Sequence, residues 1–248
     1  MTRRIPLKQV QGTAAKAVRH IATHDAPAEL VVRAGEQAVV LEEGRNEQPK
    51  HETLVLTVER GATLTYAFAV ASDSLLSRNL TLKLADGARA ELLGFVRATG
   101  NGNVRMTLTE DHASGASWAR TGLRAIVGDA AAVSVRGMIG IRNAANRSDG
   151  FFEGRAVLLG DAAKAEIIPS LEIAAQDVKA SHAAAVGPID AIQLFYLQSR
   201  GCTLQEAETL VLDGFLEQFL SRIPDQQLRA ELRFRWLTPI HHEFRPRL

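Results

Sequence analysis

The chain has 248 residues, 46% of them hydrophobic, 23% charged and only 5% aromatic, with a formal net charge of +1. That balance suits one large folded domain or two small ones; it offers no global field to draw nucleic acid or an anionic membrane and few aromatics for base stacking. A lone cysteine, Cys202, excludes an intrachain disulfide, no apolar run has the length of a membrane helix, and MTRRIPLKQV lacks the apolar stretch of a secretory signal, so the cytoplasm is the expected compartment.

Residues 1–28 are mixed in character and read as an irregular arm with room for a short helix between Lys8 and Thr23, ended by Pro27. From Leu30 the hydrophobic period becomes two. LVVRAGEQAVVLEE is a strand, a Gly turn and a strand. TLVLTVERGATLTYAFAV repeats the scheme with Gly61 at the turn, and NLTLKLADGARAELLGFV with Asp86-Gly87. VRMTLTEDHASGASWARTGLRAIV follows with Gly115, then GDAAAVSVRGMIGI with Gly128-Asp129, and the stretch ending in AKAEIIPSLEI with Gly160-Asp161.

These units share a punctuation: a turn residue or pair, then Ala, then an alternating strand, as in GATLTY, GARAEL, GASWAR, GDAAAVSV and GDAAKAEI. A loose repeat of short strands predicts a solenoid, in which each coil buries its apolar face on its neighbours. Ala suits a tight corner with little room for a side chain. The pattern also fits a β-sandwich of many short strands.

Pro188 is expected to open a helix, since its missing N–H costs nothing in a first turn. Gly201 sits where a left-handed C-terminal residue belongs, and Thr203 with Glu206 makes a capping box for a second helix. That helix carries apolar residues on two adjoining stripes, an arc wide enough to be enclosed by the chain or to dock a partner. A third helix is expected from Pro224 to Trp236, stopped by Pro239, with HHEFRPRL as a loose tail. The expected domains are therefore an arm at 1–28, a β-strand region at 29–187 and a helical domain at 188–248, whose hairpin would cover the open last coil if the strands wind as a solenoid.

The P-loop, HExxH, CxxC and GxSxG signatures are absent, so ATP binding by this chain is not expected. Arg and Lys are dispersed, which disfavours nucleic acid as a partner. His182 stands at the joint between the two sequence textures. His112, in EDHASGAS, reads as a turn imidazole, and His241-His242 as solvated tail residues. Cys202 reads as a small hydrophobe facing the helices. A carbohydrate-active solenoid would need paired carboxylates, and Glu110, Asp111 and Glu153 are the ones available.

PSLEI, DVKASH and VGPIDAIQLFYLQSRG together resemble the signature of the SufB/SufD family of iron–sulfur cluster assembly proteins, which typically reads P-x-LEI, DDVKCSHGATVG and QLFYLRSRG. The match is collinear and gap-free over about thirty residues, with weaker similarity from about Thr53 to about Leu220. Two departures stand out: Ala180 where the family often has Cys, and Ala183-Ala184-Ala185 where it often has Gly-Ala-Thr. The resemblance implies a right-handed parallel β-helix with a C-terminal helical region, a non-catalytic SufD-like scaffold subunit, and His182 as one ligand to an iron–sulfur cluster or iron. Glu172, Asp177 and Lys179 flank that signature and would orient His182 or form an ion-paired rim. A cluster usually needs four protein ligands, so the site would be transient and completed by a SufB-like β-helix partner. The family further implies a SufC-like ABC-type ATPase docked on the helices, with Leu194, Phe195, Tyr196, Leu210, Phe215 and Phe219 as the docking face. A homodimer of the SufB/SufD type and a purely structural β-helix without a cluster role are the competing expectations.

Overall fold

The period-two stretches fold as parallel strands. The structure is a computed structural model and describes residues 17–22, 28–223 and 226–243. In chain order the strands are β1 (Ala17–Ala22), β2 (Glu29–Val32), β3 (Gln37–Asn46), β4 (Lys50–Val58), β5 (Thr63–Ser72), β6 (Leu75–Leu84) and β7 (Arg89–Ala98). They continue as β8 (Asn103–His112), β9 (Trp118–Gly128), β10 (Ala132–Ile141), β11 (Asp149–Leu159), β12 (Lys164–Ile173) and β13 (Lys179–Pro188). Odd-numbered strands from β1 to β13 form one sheet and even-numbered strands from β2 to β12 the other. From β3 to β12 each strand lies parallel to the strand two places earlier, and β13 follows beside β11, so the chain winds as a parallel β-solenoid with one strand of each sheet per coil.

The expected strand–turn–strand units are present. Gly61 and Gly87 hold the corner after β4 and β6 at φ +64 each, a conformation that needs no Cβ. At the next corner the left-handed residue is Ala116 (φ 57), not the anticipated Gly115. This shift moves the corner contact by one residue. Ala62 and Ala88 are buried just before β5 and β7, and the equivalent buried place before β9 is taken by Ser117 and before β11 by Ser148.

The core is a set of columns running through the solenoid. Leu56, Leu82 and Ile139 lie in one column, and Val58, Leu84 and Ile141 in the next, all fully buried or nearly so. Large and small residues interlock: Phe152 sits over Gly137, where an added Cβ would lie 2.6 Å from the ring. Leu93, Phe95 and Ile126 face away from these columns and are buried too, so β7 and β9 are covered on both faces. That explains the unbroken apolar run LLGFV.

The N-terminal arm departs from expectation. Ala17–Ala22 is a strand pairing with β3, not part of a helix. An edge strand draws its order from the free backbone groups of its neighbour, which local propensity does not record.

The chain divides into two compact units, 1–186 and 187–248. In the second, α1 (Ala191–Ser199) begins later than expected. Pro188 ends β13, and Asp190 caps the helix by accepting from Ile192 N–H at 2.8 Å. Gly201 is left-handed at φ +96. The Thr203–Glu206 capping box opens α2 (Leu204–Leu220) as the sequence implied. α3 (Gln226–Glu243) starts beyond Pro224, which lies outside the described residues, and runs through Pro239, so His241 and His242 are helical and not a loose tail. A proline removes only one bond from an 18-residue helix, a loss the remaining turns tolerate.

Candidate functional site

β12 and β13 end their sheets, and among the described residues no strand lies beyond them. Their burial is unlike that of the inner coils. Leu171 and Ile173 on β12 are exposed, as is Val186 on β13, whereas Ile139 and Ile141, the positions paired with Leu171 and Ile173 in the coil below, are buried. A long, flat, apolar edge strand is a template for pairing with another chain.

His182 is on this edge strand and is exposed. Lys179 N–H donates to Ser148 O at 2.9 Å, which continues the corner bonding of the coil below. Ala180 packs on the core cluster. Strand alternation puts His182, two residues on, on the same side as Ala180, over the open end of the columns. Glu172 is on β12, Asp177 in the turn and Lys179 at the start of β13, all exposed. Asp177 is tied down through its backbone, accepting from Arg147 N–H and donating to Asn146 Oδ1 at 3.2 Å. All four residues belong to the terminal coil and are exposed.

The helical unit presents a mixed set. Ile192 and Phe195 on α1 are 77% and 72% exposed, and Tyr196 and Leu210 are exposed as well. Leu194 and Phe215 are half-buried. Phe219, expected on the docking face, is instead buried and stacked on Trp236 of α3 with ring centroids 6.5 Å apart. Cys202 is a free, half-buried thiol.

The three carboxylates of the glycosidase reading do not converge. Glu110 is buried inside the solenoid, while Asp111, next in the strand, faces out and takes a bidentate pair from Arg142 at 2.8 and 2.6 Å. Glu153 is on the other sheet, beside Arg124 at 3.3 Å and Arg155 at 2.8 Å.

Two buried polar groups inside the solenoid escaped the sequence reading. In the first, the Tyr66 hydroxyl donates to Glu42 Oε2, which also pairs with Arg78, and Arg78 lies 4.9 Å from the Phe68 ring centroid. Burial, and then the Glu42 charge, push the Tyr66 hydroxyl well above the ordinary tyrosine range. Burial lowers the Arg78 guanidinium, but Glu42 more than reverses this and its pKa is raised. The second group is built on Glu110 and His112. His112 is not a turn imidazole but the last inward residue of β8, 0% exposed. The signal was present in the parity of VRMTLTEDH, where Val104, Met106 and Leu108 share a face with Glu110 and His112.

A family model described as "SUF system FeS cluster assembly, SufBD core domain" matches residues 9–215. The chain belongs to the SufBD family. Among its relatives, the iron–sulfur cluster assembly protein SufD of Bacillus subtilis is 30% identical over 174 residues, covering 70% of this chain and 40% of the relative. SufD of Escherichia coli is 35% identical over 109 residues, 44% of this chain and 26% of the relative. An iron–sulfur cluster assembly SufBD family protein of Mycobacterium tuberculosis is 36% identical over 166 residues, 63% of this chain and 41% of the relative. The chain therefore spans well under half the length of these SufBD relatives. Among the described residues no helix is long and apolar enough to cross a membrane, and no group of three or more His, Cys, Asp or Glu side chains is placed to hold a metal ion.

Proposed function

We propose that this chain is a SufD-like, non-catalytic scaffold subunit whose last coil pairs with a SufB-like β-helix and contributes His182 to a transient cluster or iron site at that seam. The observation that carries the reading is the exposure of His182 on an unpaired apolar edge strand. One imidazole cannot hold a cluster alone, and Ala180 offers no thiolate beside it. A second chain bearing a cysteine would complete the ligand set, and edge pairing would bring it there. Glu172, Asp177 and Lys179 form the charged rim of that seam. The exposed Ile192, Phe195, Tyr196 and Leu210, with the half-buried Leu194 and Phe215, are the proposed docking surface for a SufC-like ATPase. Phe219 drops out because Trp236 already occupies it.

Two experiments test this. Co-expression with SufB-like and SufC-like partners should yield a complex that loses the ATPase on deletion of residues 203–248; unchanged ATPase binding would refute the docking surface. His182→Ala should leave the complex intact and fail to restore cluster assembly in a strain lacking the native gene. Full restoration would make His182 architectural.

A further inference from the structure

The interior columns of the solenoid turn polar at the end of β8. Glu110 stands between Leu82 and Ile139, and His112 between Leu84 and Ile141. Beside them the small corner residue changes from Ala62 and Ala88 to Ser117 and Ser148, all buried. His112 Nδ1 is 2.8 Å from Ser117 Oγ, which is 2.8 Å from Ser148 Oγ and 3.2 Å from Ser114 O. On the far side of the ring, His112 Nε2 lies 3.6 Å from Glu110 Oε2, within ion-pair range. Glu110 is 1% exposed and has no hydrogen-bond partner on either carboxylate oxygen.

Among the described residues no other charge faces this pair. β6 meets it with Leu82 and Leu84, and β10 with Ile139 and Ile141. β11 meets it with Gly150, where an added Cβ would stand 3.0 Å from His112 Nε2 and 3.1 Å from Glu110 Oε2, and β9 places Ala119 in register with that glycine. The corners bring only Ser114, Ser117 and Ser148, and Asp111, the charged neighbour on β8, faces out to Arg142. A single charge sealed among such groups is costly, and a pair that is neutral as a whole is tolerated. Imidazole is the stronger base of the two, by about two pKa units in water, so the proton that makes the pair neutral goes to His112. The imidazolium donates on both sides, through Nε2 toward Glu110 and through Nδ1 to Ser117 Oγ, and the serine hydroxyl has Ser114 O and Ser148 Oγ to receive its own proton.

We infer that Glu110 and His112 form a buried ion pair that locks the coil of β8 and β9 in a pH-dependent way. Its neutrality fails in both directions. Removing the shared proton leaves a bare carboxylate in the core, and protonating Glu110 leaves a bare imidazolium. The stability that the pair contributes is present between these two events and is lost on either side of them. This lock is independent of the role assigned to His182.

Nitrogen-15 NMR of the full chain reads the proton directly. At neutral pH both ring nitrogens of His112, assigned through backbone connectivity, should carry a proton, and in Glu110→Gln one of the two should be lost at the same pH. A singly protonated ring in the parent chain, or a ring that stays doubly protonated in Glu110→Gln, would overturn the pair. Urea midpoints of the parent chain and of Glu110→Leu/His112→Leu should diverge as pH is moved either way from neutral, with the parent falling faster. Tyr66 is common to both chains and cancels from the difference. A gap that holds constant from acid to alkali would overturn the lock. Should the variants fail to fold, the ring nitrogens of the parent chain alone decide.

Discussion

At the scale of single residues, the buried Glu42–Tyr66–Arg78 group shows how an apolar solenoid accommodates charge. Glu42 and Arg78 neutralise each other, so removing one member is worse than removing both. Glu42→Gln should cost about 3–5 kcal/mol of unfolding free energy, read as a shift in the urea midpoint, and Glu42→Leu/Arg78→Leu considerably less. Tyr66 adds a pH dependence. Its folded pKa is raised above the ordinary value of 10.0, so the stability it contributes is present below pH 10 and is lost as pH rises through the folded value. Tyr66→Phe should flatten the alkaline limb of the stability curve, and an unchanged limb would rule out this origin. None of the three residues could be matched from sequence, because Glu42 and Arg78 are 36 positions apart and only the register of the coils brings them together. Glu110 and His112 were more legible, since they keep the inward parity of β8, but two polar residues at the end of a strand read as the start of a turn.

At the scale of elements, the strands were legible because half-buried strands alternate, and the corners at Gly61 and Gly87 because left-handed corners select glycine, whereas the later corners at Ala116, Asp129 and Arg147 are left-handed without it. The boundary of α1 was not, because Pro188 suits the end of an edge strand as well as the first turn of a helix. The α2 capping box was legible in full, as both of its bonds are local. Thr203 Oγ1 accepts from Glu206 N–H at 3.2 Å, and Glu206 Oε2 accepts from Thr203 N–H at 2.8 Å. The backbone bond to Thr203, then its hydroxyl, hold the Glu206 carboxyl below its usual range. Its contribution is therefore present above the ordinary value of 4.5 and is lost as pH falls through the depressed folded value. Thr203→Ala should lower stability by about 1 kcal/mol at neutral pH, and the difference from the parent chain should shrink in acid. Thermal melts at the two pH values check this, and a pH-independent difference would show that the carboxylate plays no part.

At the scale of the whole molecule, a parallel solenoid has no contacts that skip a coil, so its resistance to opening depends on how many neighbours a coil has. The inner coils are clamped from both sides, and the one carrying β12 and β13 from one side only, with its apolar residues left in water. Loss of order should thus begin there and travel inward like a coil of rope loosening from its cut end. Amide hydrogen exchange on the isolated chain should record this as a gradient, slowest in β7 to β9 and fastest in β12 and β13. A partner that seals the seam would slow the fast end alone. A stretch that frays when single and sets when joined would give a subunit of the proposed complex a built-in reason to stay in it.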